Sequence, residues 1–119
     1  MDNLAEAVSS VLKEWEQMKA RLDQLFRERD QKNANDLMKK GITLFIQFLH
    51  YTNVETSIPN RSLDFDQLSF KPVNIRERLG FIMARPGLYH SYRQLSELMV
   101  ELEKLYAKKN IKNKSRPKA

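Results

Sequence analysis

An all-α fold, a bundle of four helices with one long packed crossover between the second and third, is what the sequence predicts. Three observations carry this. Apolar residues recur at alternating spacings of four and three over two long stretches, and only three glycines occur among 119 residues. Good helix formers (Leu, Glu, Lys, Gln, Met) are abundant. A chain of this length can bury one real core, but it is too short for two ordinary domains.

The first stretch runs Leu4, Val8, Val11, Trp15, Met18, Leu22, Leu25, which line one face of a helix. Leu12 and Phe26 widen the stripe, and Arg27, Glu28, Arg29, Asp30 and Lys32 mark a solvated exit, predicting a first helix of about 25 residues. Asn33 or Asn35 supplies a short side-chain acceptor that can cap a second helix starting near Asp36. Its apolar residues (Leu37, Ile42, Leu44, Phe45, Ile46, Phe48, Leu49) cover most of the circumference and leave a thin polar strip of Lys39, Lys40, Thr43, Gln47 and His50. Such a helix belongs at the centre of the bundle. Gly41 lowers its helix propensity, and close approach by a neighbouring helix is the expected compensation. The apolar run 42–51 is about half of the roughly 20 residues a membrane span needs, so it reads as core.

Residues 53–73 carry Pro59, Asn60, Ser62 and Pro72, yet also Leu63, Phe65, Leu68 and Phe70, which predicts a packed crossover with a short helical turn. Asp64 and Asp66 flank Phe65 and read as turn residues. Asn74, followed three residues later by Glu77, resembles a capping box. Ile75, Leu79 and Ile82 then form the buried face of a short third helix, ended by Pro86-Gly87. The fourth helix repeats the first pattern with Leu88, Tyr92, Leu95, Met99, Leu102 and Tyr106, with Leu98 and Leu105 beside the seam. From Lys108 onward the chain is polar, basic and interrupted by Pro117. The expected organisation is therefore a bundle over residues 1–107 and a disordered basic C-terminal tail over 108–119.

Charge follows the same division. Of 21 basic residues against 15 acidic, six basic ones (Lys108, Lys109, Lys112, Lys114, Arg116 and Lys118) fall in the tail, which has no acid. The rest of the chain is balanced, so any nucleic-acid binding is expected to be weak, non-specific and carried by those six tail residues. Arg76, Arg78, Arg85 and Arg93, with Lys71 before them, form a second local concentration of positive charge, read as a solvated face with Glu77 as nearly its only local counterweight. The absence of cysteine excludes disulfides and thiolate chemistry, and two histidines alone leave a structural zinc site short of ligands. No metal and no cofactor is expected. The opening residues turn polar too soon to form a secretory signal, which points to a cytoplasmic protein with no membrane segment.

Two resemblances add to this reading. The stretch from Lys71-Pro72-Val73-Asn74-Ile75-Arg76-Glu77-Arg78-Leu79 to Arg85-Pro86-Gly87-Leu88-Tyr89-His90-Ser91-Tyr92 and Gln94-Leu95-Ser96-Glu97-Leu98 resembles the YpoC-like family of small bacterial proteins. The segment Met38-Lys39-Lys40-Gly41-Ile42 with Leu44-Phe45-Ile46-Gln47 is similar to that family too. The resemblance spans roughly residues 36–106. It implies a cytoplasmic protein of Gram-positive bacteria, encoded near replication and DNA-repair genes, and it implies no activity. Within it, the spacing Arg85, four residues, His90, one residue, Tyr92 resembles the motif of the HEPN superfamily, helical domains that include ribonucleases. That likeness implies metal-independent RNA cleavage, with His90 as general acid/base, Arg85 as phosphate clamp and Tyr92 as an orienting hydroxyl. The same residues also read structurally: Arg85 favours a helix C-terminus, Pro86-Gly87 makes a turn, His90 opens a helix, and Tyr92 occupies a core position of the seam.

The function expected from the whole is a helical interaction module that binds another protein or a second copy of itself, the tail adding attraction to nucleic acid. A ribonuclease is the alternative from a different class. It requires Arg85 and His90 side by side and open to a phosphate.

Overall fold

The computed structural model describes residues 3–53 and 65–114. Four helices follow in chain order: α1 (Asn3–Arg27), α2 (Gln31–Thr52), α3 (Ile75–Ala84) and α4 (Tyr89–Lys114), with a 3-10 turn at Phe65–Gln67. Among the described residues there is no strand. The protein is an all-α four-helix bundle.

α1 and α2 form a hairpin through Glu28, Arg29 and Asp30. Arg29 takes the left-handed conformation (φ 60). From there its amide donates to the Phe26 carbonyl at 3.1 Å while the Asp30 amide donates to that of Leu25 at 2.9 Å, so the two bonds close the last turn of α1. Glycine is the usual residue at such a position, and arginine in its place explains why the turn is silent in the sequence. Asp30 then caps α2 by accepting from the Asn33 amide at 3.2 Å and from the Asn33 side chain at 2.7 Å. These hydrogen bonds hold its carboxyl below the ordinary aspartate value. Thus α2 begins at Gln31, about a turn earlier than the Asn33 or Asn35 cap predicts.

α2 is central, as its all-round apolar pattern requires. Phe45, Phe48, Leu49 and Met38 are fully buried, while Lys39, Lys40, Thr43 and Gln47 form the exposed strip. A Cβ added to Gly41 would lie 3.0 Å from Cζ3 of Trp15 on α1 and 3.2 Å from Cδ2 of Leu95 on α4. The missing side chain lets three helices converge at one level. Leu95 against Gly41, Tyr106 against Phe48 and Lys109 against Thr52 run in the same order on both helices, so α2 and α4 are parallel. The chain must therefore return along the bundle between them, and α3 makes that return.

Where that crossover is described, it is tied down. The buried Asn53 side chain donates to the carbonyls of Leu49 and Phe70, both at 2.8 Å, and accepts from the Phe70 amide at 2.8 Å. Leu68 is buried, and Lys71 Nζ donates to the Phe65 carbonyl at 2.6 Å. Leu63 and Asp64 lie outside the described residues.

α3 packs chiefly on α4 through Ile75, Leu79 and Ile82. The expected capping box is not formed: Asn74 is left-handed (φ 57) and its side chain makes no capping hydrogen bond. A capping acceptor needs an extended backbone, whereas asparagine tolerates the left-handed region that the entry after Pro72 imposes. At the other end, the α3–α4 turn presses on α2, since a Cβ on Gly87 would lie 3.2 Å from Asn35 Cβ.

α4 does not stop at Ala107. It continues to Lys114, and Lys109 is buried (8% exposed), its Nζ donating to the Thr52 carbonyl at 2.7 Å and lying 5.4 Å from the Phe70 ring centroid. The tail boundary predicted at Lys108 is corrected accordingly, because Lys109 occupies the next seam position, three residues after Tyr106, and satisfies the end of α2. Residues 115–119 lie outside the description.

The helical glycines give a test of opposite sign. A Cβ on Gly80 meets nothing within 4 Å. Gly80→Ala should therefore stabilise the fold by about 0.5–1 kcal/mol through helix propensity. Gly41→Ala should destabilise it by about 1 kcal/mol net, overpacking outweighing the same gain. Urea unfolding of both variants measures this, and a stabilised Gly41→Ala would refute the close approach of α1 and α4.

Candidate functional site

The candidate residues gather where α3 gives way to α4. Arg85 closes α3, its amide donating to the carbonyls of Phe81 and Ile82 at 3.3 Å each. Its own carbonyl accepts from the Leu88 amide at 3.3 Å and from Ser91 Oγ at 2.5 Å, so the corner is locked by backbone and side chain together. The side chains of Arg85 and His90 are both exposed on this corner.

Tyr92 points the other way. It is 4% exposed, its ring stacks on Phe26 of α1 at 5.4 Å, and its hydroxyl donates to Asp23 Oδ1 at 2.6 Å with the Lys19 carbonyl 3.4 Å away. Of the Arg85, His90, Tyr92 set, the first two are exposed and the third is not. The third joins α4 to α1, as its seam position demands. Burial, followed by the hydrogen bond and charge of Asp23, raises the Tyr92 phenol well above the ordinary tyrosine value.

Beside the corner lies a hollow of about 490 Å³ lined by Asp23, Phe26, Arg27 and Tyr89. Tyr89 is half exposed and meets Phe26 edge to face at 5.5 Å, and the exposed Arg93 follows it one turn along α4. Arg27 and Tyr89 belong to no motif that marks them as site residues. Their only signal is position, at the two helix ends that the α1–α2 hairpin and the α3–α4 corner bring together.

The other basic residues are largely engaged. Arg78 forms a two-pronged pair with Glu101 of α4, Nη1 to Oε1 at 2.9 Å and Nη2 to Oε2 at 2.5 Å. The pair raises the guanidinium's affinity for its proton and lowers the Glu101 carboxyl. Arg76 pairs with Asp66 at 3.2 Å and lies 5.9 Å from the Phe65 ring centroid. Glu77 is therefore not the counterweight to this face. Acids distant in sequence are. Of the tail residues, Lys108 is exposed and Lys109 is turned inward. Lys112 and Lys114 fall on the last turns of α4, and Arg116 and Lys118 lie outside the described residues. His50 is half buried in the last turn of α2. Among the described residues no group of three His, Asp or Glu side chains could hold a metal ion, and no helix is long and apolar enough to cross a membrane.

Fold and corner together define a small helical bundle whose two long core helices run parallel across a tethered crossover. Residues 5–114 match the YpoC-like protein family, and the chain belongs to that family. It is similar to the Uncharacterized protein YpoC of Bacillus subtilis (strain 168), 35% identical over 105 residues that make up 84% of this chain and 62% of that protein. The chain thus spans less than two thirds of that relative's length. No solved structure shows significant similarity to it.

The Tyr92 bond predicts a pH dependence. The folded state holds the phenolic proton more tightly than the unfolded chain, so the contribution is whole below about pH 10 and is lost as pH rises through the tyrosine range. Tyr92→Phe keeps the ring and should cost about 1 kcal/mol at neutral pH. Between neutral and strongly alkaline pH its Tm should fall less steeply than that of the wild type. Parallel declines would show that the phenol contributes nothing.

Proposed function

We propose that this protein is a helical interaction module of the cytoplasm that binds a protein partner or a second copy of itself. The observation that carries the reading is the outer side of α3 and its approach. Val73 is 73% exposed, Met83 54% and Phe81 42%, around the uncovered Gly80. Three large apolar groups on one short element are more than a solvated helix needs, and such clusters mark surfaces for other proteins. α3 is also held chiefly from one side, by α4, which leaves its other side accessible.

Replacing Phe81 and Met83 together by Glu should leave the circular dichroism of the bundle unchanged. It should also abolish self-association in light scattering, or the partner cross-linked to the wild type in its native host. A double variant that keeps both its mass in solution and every cross-linked partner would eliminate this face.

A second reading, metal-independent RNA cleavage, is favoured by one observation: Arg85 and His90 are exposed on the same locked corner. The role of orienting hydroxyl passes away from Tyr92, whose hydroxyl donates to Asp23. On this reading the purified protein cuts RNA in the presence of EDTA, leaves cyclic phosphate ends and spares DNA, which lacks the attacking 2′-hydroxyl. His90→Ala and Arg85→Ala should each reduce cleavage by about 100-fold or more. RNA left intact by the wild type would dispose of it.

A further inference from the structure

Two sets of cations among the described residues differ in what the fold does with them. Arg76, Arg78 and Lys109 meet Asp66, Glu101 and the Thr52 carbonyl. At the opposite end of the bundle the assignment is reversed. There the acids are engaged: Asp23 accepts from Tyr92, Asp30 caps α2, and Glu28 accepts from Gln24 at 3.0 Å. Arg27, Arg29, Arg85 and Arg93 at this end form no ion pair among the described residues. Residues 21–32 and 85–93 together hold six Arg or Lys and three acids, so the end carries a net positive charge.

An aromatic surface lies among these cations. Tyr89 is 51% exposed at the rim of the hollow that Arg27 also lines, and the exposed Arg93 lies one turn further along α4. Asp23 forms part of the hollow, and Glu97, one turn further along α4, is close enough to Arg93 to favour its charged form. Both acids lie toward the body of α1 and α4, which directs an anion outward, over Arg27, Arg85 and Arg93.

We propose that this end of the bundle, built from the α1–α2 and α3–α4 turns, binds single-stranded nucleic acid, with Tyr89 as a stacking platform for a base and Arg27, Arg85 and Arg93 as partners for the flanking phosphates. A half-exposed aromatic ring among unpaired cations suits a strand whose bases are accessible, because stacking adds to backbone attraction. A duplex hides its bases and meets only the cations, so the site discriminates between the two. The proposal is independent of the α3 docking face, and it moves the main polyanion contact from the C-terminal tail to the folded body.

The test is fluorescence anisotropy on the full chain with a labelled oligothymidylate of about 20 nucleotides and a duplex of the same length, at low and at physiological salt. The wild type should prefer the single strand. Tyr89→Ala should weaken single-strand binding by about tenfold, Tyr89→Phe should keep it within about twofold, and neither should alter duplex binding. Arg27→Glu, an exposed change that leaves the Phe26 and Tyr89 rings in place, should weaken both ligands and flatten the salt dependence. It keeps the proposal testable if Tyr89→Ala melts the corner. With Lys112, Lys114, Arg116 and Lys118 changed to Gln, the single-strand preference should persist. Absence of binding at low salt, wild-type affinity in Tyr89→Ala and Arg27→Glu, equal affinity for duplex and single strand, or loss of binding in the Gln-tail variant would each overturn the proposal.

Discussion

Helices α1, α2 and α4 come together tightly at Gly41, which has no side chain to hold them apart. At its level Trp15 and Leu95 close on the α2 backbone, 3.0 and 3.2 Å from where a Cβ would stand. Packed interiors tolerate little displacement, so this contact limits the spacing of the three long helices at its level. The register of α2 and α4 follows, and with it the later contacts of Phe48 with Tyr106 and of Thr52 with Lys109. Since those two helices run parallel, the chain must return between them, and α3 is built on that return path rather than into the central core.

Polar bonds hold both ends of this arrangement. At one end Tyr92 reaches from α4 to Asp23 on α1, and at the other Lys109 reaches from α4 to the Thr52 carbonyl that ends α2. Asn53, at the end of α2, holds Phe70 by both its amide and its carbonyl, so the crossover returns to the helix it left. Each bond joins segments remote in sequence and involves a buried or half-buried group, where an unmet hydrogen bond is costly. They specify the pairing of elements that apolar contact alone would leave interchangeable.

The same economy governs the charged surface. Arg78 is matched by Glu101 and Arg76 by Asp66, so two cations of the basic face read around α3 are met by acids from outside it. Among the described residues Arg85 and Arg93 of that face form no ion pair, and they gather with Arg27 and Arg29 at the hairpin end. The locations of positive charge along the chain and across the surface are therefore two different maps, because folding brings acids to some cations and assigns other acids to caps and hydroxyls.

The helices follow from the spacing of apolar residues along the chain. The stripes are buried from Val8 to Leu25 and from Tyr92 to Leu102, with Leu4, Leu88 and Tyr106 half-buried at their ends, and the apolar circumference of α2 places it at the centre. The close approach at Gly41 was legible too, since a glycine inside so apolar a helix needs a neighbour to account for it. The four-and-three alternation even extended to Lys109, but a lysine at a seam position carries no apolar signal, and only the Thr52 carbonyl and the Phe70 ring beside it show why it faces inward. Arg29 and Asn74 escaped for a related reason: their left-handed backbones are imposed by the turns they occupy, not by their side chains. For the candidate site, sequence brought Arg85 and His90 to one corner because both are local to it. The inward turn of Tyr92, the Arg78–Glu101 pair and the nearness of Arg27 to Tyr89 were decided by tertiary structure alone, because each depends on which helices pack together, and one-dimensional periodicity records the face of a helix but not its partner.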